Sequence, residues 1–324
     1  MRQFAVSPAP RGRRPFLRGL LLLVLCSLLP GAALLHGAEV RGPRVAVLVS
    51  RDIRPYIEAS EGMSVVLAES AGAKTQVFSL EKFKGKSRDV LLESLAQERF
   101  DLAVAVGPEA VRFAVEEAAL EKTPWLYSMV LNPPKVSGRA DGGCGVPLDI
   151  PVKRQLETVI QGLPGVSRVG LLYDPRYNTE LLLKAQAEAP SLNARIVPLK
   201  VSAKKDIPAI LRQHWDAIDA LWLIPDQTVI SESIVQYIIK EALFKKIPVI
   251  GYNRFFYESG AAMSFVFSYE ELGRQTGRMA ANLLAGKSCE KEPPVFHAWL
   301  NLRVTDKLGV TVADRKTPPL EAGP

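Results

Sequence analysis

The feature that most constrains this chain is a repeated alternation of short, unbroken apolar runs with amphipathic helical segments. Val45 to Val49 and Leu102 to Val106 contain no polar residue. A strand that is apolar at every position is covered on both faces, as in a parallel sheet layered between helices. The pattern predicts strands at 45–49, 74–79, 102–106, 125–130 and 145–148, with helices at 56–71 and 86–99. A further helix opens at Pro108, a residue suited to the first helical position, with Gly107 as the cap before it. Residues 132–143 (NPPKVSGRADGG) are rich in turn formers and mark an excursion near a domain boundary.

A second alternation begins at Pro151, with helices expected at 151–162, 177–189, 203–213 and 229–245. Strands are expected at 169–173, 194–199, 218–224, 247–251 and 262–267. The helix at 229–245 carries its apolar stripe on Ile230, Ile234, Val235, Ile238, Ile239 and Ala242. Ser268 followed by Glu271 is a capping-box signature, and the helix it opens runs to Leu284 and stops at Gly286. Two successive series predict an α/β protein of two doubly wound parallel-sheet lobes. Such sheets bind ligands outside the carboxyl ends of their strands, so two of them imply a ligand cleft between the lobes.

The net charge of +7 invites a nucleic-acid reading, but residues 1–38 hold five arginines and no acid. Without them 36 basic residues face 34 acidic ones, a net charge of +2, and no long basic run remains to track a phosphate backbone. No nucleic-acid partner is expected. The basic stretch RGRRPFLR at 11–18 followed by the apolar GLLLLVLCSLL at 19–29 reads as a signal peptide, too short for a membrane span. Cleavage is placed after Ala38, with Ala33 as second choice, which makes the protein periplasmic. Arg13-Arg14-Pro15-Phe16-Leu17-Arg18 resembles a twin-arginine export motif with Gly12 in place of the usual hydroxyl residue, and general secretion is the other route. The mature chain keeps Cys144 and Cys289; export permits a disulfide between them, and two buried thiols are the alternative.

No G-x-G-x-x-G, Walker A or G-x-S-x-G sequence is present. The mature chain has two histidines, His214 and His297, far apart and without metal-ligand spacing. These absences favour a binding protein over an enzyme, with no metal and no cofactor.

Several stretches carry a resemblance. Val152 to Leu156 with Leu163-Pro164 and Val169-Gly170-Leu171-Leu172-Tyr173, then Leu223-Ile224-Pro225-Asp226-Gln227-Thr228-Val229, occur in order at compatible spacing. Ile247-Pro248-Val249, Tyr269 to Gln275, and Asn301-Leu302 through Lys307-Leu308-Gly309-Val310 follow them. Together they resemble the substrate-binding proteins of ABC transporters of the tryptophan/tyrosine type, with the type I periplasmic binding-protein fold. Thr305-Asp306 departs from the family's ending, and Gly107 and Glu109 stand where relatives often carry a hydroxyl and a small residue around Pro108.

The resemblance implies a lobe of 39–149 plus 267–290, a second lobe of 150–266 plus 291–312, and a C-terminal tail at 313–324. The helix from 269 returns to the first lobe, with Leu272, Met279 and Leu283 buried there. Capture of an amino acid or similar small solute, and delivery to an ABC permease by a monomer, follow from the family. A sensory module of the same fold and an exported enzyme are alternatives; a repressor of related fold is disfavoured by the leader.

Ligand-binding candidates lie just past strand ends: Ser50, Gly107 and Ser128 in the first lobe, and Tyr173, Asp174, Asp226, Tyr252 and Asn253 in the second. Arg51, Glu109, Met129, Asn178 and Pro225 stand beside them. Backbone N–H groups after Gly107 suit a carboxylate, Asp174 or Asp226 an ammonium, and Tyr173 and Tyr252 an aromatic body. Asp174, ahead of Pro175, equally suits a turn, Asp226 a cap on the following helix, and the tyrosines core packing.

Overall fold

The first alternation folds into a five-stranded sheet. The computed structural model describes residues 41–324 apart from 84, 86, 118, 119, 121, 140–142, 290 and 314–318, so the expected leader lies outside the described residues. In chain order the elements are β1 (Arg44–Val49), α1 (Arg54–Ala71), β2 (Lys74–Ser79), α2 (Ser87–Gln97), β3 (Leu102–Val106) and α3 (Pro108–Glu116). They are followed by β4 (Trp125–Val130), the short α4 (Pro133–Ser137) and β5 (Gly145–Pro147). The strand order is β2-β1-β3-β4-β5, all parallel.

The second alternation supplies α5 (Val152–Gly162), β6 (Arg168–Tyr173), α6 (Pro175–Glu188), β7 (Arg195–Lys200), α7 (Ile207–His214) and β8 (Ala220–Leu223). Next come α8 (Glu232–Phe244), β9 (Val249–Gly251), α9 (Arg254–Glu258), β10 (Met263–Val266), α10 (Tyr269–Leu284), β11 (His297–Leu300), α11 (Leu302–Leu308) and β12 (Leu320–Ala322). The second sheet runs β12-β11-β10-β9-β8-β6-β7. It is parallel except where β11 pairs antiparallel with β10. The molecule is thus α/β, two parallel-sheet lobes, and the chain passes between the sheets at 148–151, 267–268 and 285–296.

Each sheet is covered on both faces, which is why its strands are apolar throughout. In the first lobe Val45, Val47 and Val49 pack with Met63, Leu67, Leu272 and Met279 from α1 and α10, while Ala46 and Leu48 face Leu91, Leu95 and Val111 from α2 and α3. Leu283 is only partly buried there. In the second lobe one face packs on Leu156, Val159 and Leu182 from α5 and α6, the other on Leu211, Val235 and Ile238 from α7 and α8. Ile230, expected on the α8 stripe, precedes the helix and is exposed.

α10 leaves the second sheet and lies along α1. Glycines set this contact: a Cβ on Gly273 would meet the Ala59 carbonyl oxygen at 2.0 Å, and one on Gly62 the Glu270 carbonyl oxygen at 2.4 Å. The helices therefore touch backbone to backbone. The Gly273 of the Tyr269–Gln275 stretch has a packing reason.

Two segments differ from expectation. Residues 313–324, expected as a tail, include β12, which pairs in parallel with β11 through Ala298–Leu320 and Leu300–Ala322. Leu320 is buried and packs into the second-lobe core, beneath Gly162 of α5. α9, in the aromatic cluster at 252–257, and β11 are further elements that the alternating pattern did not delimit.

Asp219, ahead of β8, ties that strand to the start of β6. Its Oδ2 accepts the Ser167 and Arg168 N–H groups at 3.0 and 2.7 Å, and its Oδ1 accepts Arg168 Nε at 2.9 Å. Burial pushes this carboxyl up, but the Arg168 guanidinium and these N–H donors outweigh it and hold it at about 2, against an ordinary 3.8. A depressed carboxyl stabilises the fold above its ordinary value, and that contribution is lost as pH falls towards the folded value. Asp219→Asn is expected to lose about 2 kcal/mol at neutral pH and to flatten the fall in stability between about pH 4 and pH 2. Urea titrations across that range check this; parallel slopes for parent and variant would exclude it.

Candidate functional site

The carboxyl ends of β6 and β8 bring together one hydrogen-bonded cluster. Asp174 follows β6 and caps α6, its Oδ1 accepting the Arg176 N–H at 3.0 Å. Its Oδ2 accepts the Thr228 hydroxyl at 2.6 Å. Asp226, past β8, accepts the Asp174 N–H at 2.8 Å and the Asn178 side-chain amide at 2.7 Å on Oδ2, and the Thr228 N–H at 2.8 Å on Oδ1. Asn178 also donates to the Pro225 carbonyl at 3.2 Å, and it interrupts α6 with non-helical angles. Asp174 and Asp226 are both fully buried. The Arg176 guanidinium, seconded by the Thr228 hydroxyl and the Arg176 N–H, holds the Asp174 carboxyl far below the usual carboxylate range, against burial.

The structure therefore unites Asp174, Asp226, Asn178 and Pro225 as expected candidates, but gives the aspartates internal partners. The turn reading holds for Asp174, which also caps α6, whereas Asp226 makes an Asx-turn to the Thr228 N–H and does not cap the following helix, whose N-cap is Ser231. Each carboxylate orders two strand ends, and neither offers an open face to an ammonium in this conformation. Tyr252, past β9, packs its ring against that of Phe256 of α9, with centroids 4.5 Å apart and planes tilted by 45°. Burial, then the negative charge of Asp226, pushes its phenol up to about 12, so it remains a neutral hydroxyl. Asn253 caps α9, accepting the Phe256 N–H at 3.3 Å. Tyr173 is a correction: its ring is buried in the second-lobe core, where it packs rather than stacks on a solute.

In the first lobe, Ser50 and Gly107 meet at the ends of β1 and β3. The Ser50 hydroxyl donates to the Val106 carbonyl at 3.0 Å and accepts the Ala110 N–H at 3.0 Å, so it fills the N-terminus of α3. Gly107 has φ of 89°, and a Cβ there would meet Ser50 Oγ at 2.6 Å and the Tyr56 hydroxyl at 2.7 Å. Only glycine suits that angle and that gap. The expectation of free N–H groups behind Gly107 is corrected, because Ser50 already takes the Ala110 donor. Ser128 is corrected too: fully buried, it shares a hydrogen bond of 2.8 Å with Thr276 of α10 and pins β4 to that helix. Met129 takes φ of 61° where the β4–β5 register shifts, and is buried in the core.

Of the candidate residues, Asn253 borders a cavity that both lobes line, whereas Ser50, Arg51 and Glu109 line a separate first-lobe cavity. The shared cavity, of about 680 Å³, is lined by Arg54, Pro55 and Glu58 from the start of α1 and by Asn253 and Arg254 from the start of α9, with Phe267 and Ser268 of the crossover. The start of α1 and the start of α9 thus border one space. Three participants escaped the sequence reading: Thr228, Arg176 and Tyr56. The pattern Asp226-x-Thr228 after a strand is an Asx-turn signal that pointed to the first of them. Among the described residues no group of three or more His, Cys, Asp or Glu side chains is placed to hold a metal.

Two facing α/β lobes with polar and aromatic groups gathered at their strand ends define a type I periplasmic binding-protein fold. Residues 140–317, more than half of the chain, match the ABC transporter substrate binding protein family, and the chain belongs to it. It is a substrate-binding protein for ABC transport. A tyrosine-binding protein of Clostridioides difficile (strain R20291) is 26% identical over 142 residues, 42% of this chain and 40% of that protein's length.

Among solved structures, the ligand-free, open form of a substrate binding protein with adhesive properties from Clostridium difficile matches at a TM-score of 0.68 and 19% identity, over 86% of this chain and 98% of that one. An ABC domain in complex with L-Trp from Streptococcus pneumoniae matches at 0.53 and 20% identity, over 83% and 96%. A periplasmic ribose ABC transporter from Conexibacter woesei matches at 0.56 and 13% identity, over 83% and 95%.

Proposed function

We propose that this chain is the exported, solute-capturing component of an ABC importer. It closes its two lobes on a small solute with an aromatic or apolar body and an amino group, and presents the closed form to a permease. The observation that carries this is the aromatic wall at the end of β9, Tyr252 on Phe256, beside the ordered Asp174–Asp226 cluster. That arrangement sets an aromatic ring beside two carboxylates at the strand ends of the second lobe. The tyrosine and L-Trp named for the relatives suit the same chemistry.

The test is a thermal-shift and calorimetric panel of aromatic and aliphatic amino acids, their amines and amides, sugars and nucleosides. A true ligand at a hundred times its dissociation constant adds about 2.7 kcal/mol of stability. Tyr252→Ala is expected to weaken binding by about 1–3 kcal/mol, as loss of an aromatic anchor does. A panel in which only sugars or nucleosides shift the melting point would replace the aromatic reading.

Export is expected through the general secretory route. Arg13→Lys with Arg14→Lys keeps the leader positive, so translocation should be unchanged, including in a strain lacking the twin-arginine translocase. Loss of translocation in that strain would assign the twin-arginine route instead.

A further inference from the structure

Two large apolar side chains stand exposed beside the first crossing between the lobes, one from each lobe. Leu131 directly follows β4 and is 46% exposed; Tyr177 lies in the first turn of α6, just past β6, and is 41% exposed. Neither packs into the core of its lobe. A lone exposed apolar side chain is ordinary on a protein surface. This pair is set apart by the fixing of the backbone around each member and by their placement about one crossing.

The Val130 carbonyl before Leu131 accepts the Leu148 N–H at 2.9 Å, and Asn132 after it donates its N–H to Asp149 Oδ2 at 2.6 Å. The Tyr177 N–H donates to the Asp174 carbonyl at 3.0 Å. Its neighbour Arg176 donates from Nε to Asp174 Oδ1 at 3.0 Å and from Nη2 to the Ser202 carbonyl at 2.8 Å, while Asn178 on the other side is tied to Asp226. The Arg176 guanidinium lies over the Tyr177 ring, 5.3 Å from its centroid, so an anchored cation covers one ring face and holds the ring's orientation. An apolar surface held in this way loses little further freedom when a solute settles on it.

Asp149 relates the two places. It lies in the first crossing, holds the Asn132 N–H next to Leu131, and feels the positive charge of Lys184, which stands on α6 with Tyr177. Burial pushes its carboxyl up, against that N–H and that charge. The carboxyl end of β4 and helix α6 thus flank the same crossing. In the second sheet β6 stands two strands from β9, with β8 between them, so Tyr177 and Tyr252 place a ring at two points along the second-lobe strand ends.

Resting on the reading of this chain as an interlobe solute-binding protein, we propose that Leu131 and Tyr177 are solute-contacting residues, one from each lobe, that close on an aromatic side group of the solute. Closure removes the open face of Tyr177, the Leu131 side chain and the solute's ring from water together, a gain proportional to the apolar area covered. An aliphatic side chain covers less of the Tyr177 face than a flat ring does, so the pair sets a preference for aromatic over aliphatic solutes.

The experiment titrates L-tryptophan, L-tyrosine and L-leucine into the parent, Tyr177→Ala, Tyr177→Phe and Leu131→Ala. Tyr177→Ala is expected to weaken the two aromatic amino acids by about tenfold or more and Leu131→Ala by about threefold or more, whereas Tyr177→Phe keeps the ring and should stay within about twofold of the parent. Both side chains are exposed, so melting temperatures should stay within about 2 °C of the parent. A second readout reports closure: the thiol introduced by Leu131→Cys should react with a maleimide several-fold more slowly in saturating L-tryptophan. Aromatic affinities that both alanine variants leave unchanged, or labelling that L-tryptophan leaves unchanged, overturn this inference while the solute-binding reading stands. If Tyr177→Ala melts early, Tyr177→Phe and the labelling decide, and a loss in Tyr177→Phe as large as in Tyr177→Ala refutes the ring contact. A parent that binds neither aromatic amino acid overturns the aromatic reading, and this inference falls with it.

Discussion

Asp226→Ala is expected to lower the melting temperature by roughly 6–12 °C and to abolish measurable solute binding. The carboxylate accepts three hydrogen bonds, from the Asp174 N–H, the Asn178 amide and the Thr228 N–H. Alanine leaves two backbone donors in a fully buried place without acceptors, each costing about 1–3 kcal/mol, while the Asn178 amide can turn to water. A net loss of about 3 kcal/mol follows, and each kcal/mol moves the midpoint of a domain of this size by about 2–4 °C. Binding falls for a different reason. The loops after β6 and β8 are tied chiefly through this carboxylate and Thr228, with the Asn178–Pro225 bond beside them, so the second-lobe wall loses its shape before any direct contact is counted. Asp226→Asn keeps one acceptor oxygen and should lie between parent and alanine in both measurements. Differential scanning calorimetry with a binding titration separates the effects. A melting point within 1 °C of the parent would show that the cluster is not the scaffold described, and a stable variant that only loses amine affinity would return Asp226 to the role of ammonium partner.

This double role explains what could be read from the sequence and what could not. Fully apolar runs such as Val45–Val49 report burial on both faces, so the strands, the helices between them and the two-lobe α/β class follow from periodicity alone. β12 is three residues long, too short to show a period, and its place beside β11 depends on contacts made far along the chain. The positions of candidate site residues were legible because ligand groups follow strand ends in this class. Their orientation was not. Ser128 was expected past a strand end like Ser50, yet it lies within β4, and its hydroxyl meets Thr276, 148 residues later, on a helix that returns from the other sheet. Likewise nothing in Gly107-Pro108-Glu109-Ala110 says that Ser50 will fill the helix end, since that contact spans 60 residues. Local pattern fixes elements; the polar partners that decide whether a group serves the ligand or the scaffold come from long-range packing.

Removal of the Cys144–Cys289 bond should be the largest purely structural effect. Cys144 directly precedes β5 at the edge of the first sheet, and Cys289 lies in the segment after α10 that leads to β11. Their Cα atoms are 6.0 Å apart, and both sit against the core formed by α1 and α10. The bond closes a loop of 145 residues that carries the second lobe from α5 to β10, together with α10. The chain-entropy treatment gives about 5 kcal/mol for a loop of that length, and native disulfides removed in practice cost about 2–5 kcal/mol. Cys144→Ser with Cys289→Ser is therefore expected to lower the urea midpoint by the equivalent of about 2–5 kcal/mol. The parent under reducing agent should behave like the double variant, because the same constraint on the unfolded chain is lost. Solute affinity should change little, since the bond fastens the third crossing to the first lobe and touches neither strand-end cluster. A pair of cysteines that forms its bond only in an oxidising compartment also gives an independent check on export: processed protein from the periplasm should show no free thiol, and leader-bearing protein retained in a reducing cytosol should show three, Cys26 included. Two titratable thiols in the periplasmic protein, or a double variant with the parent's midpoint, would remove the bond from the list of stabilising features and leave α10 held to the first lobe by its glycine-lined contact with α1, by Ser128–Thr276 and by the core packing of Leu272 and Met279.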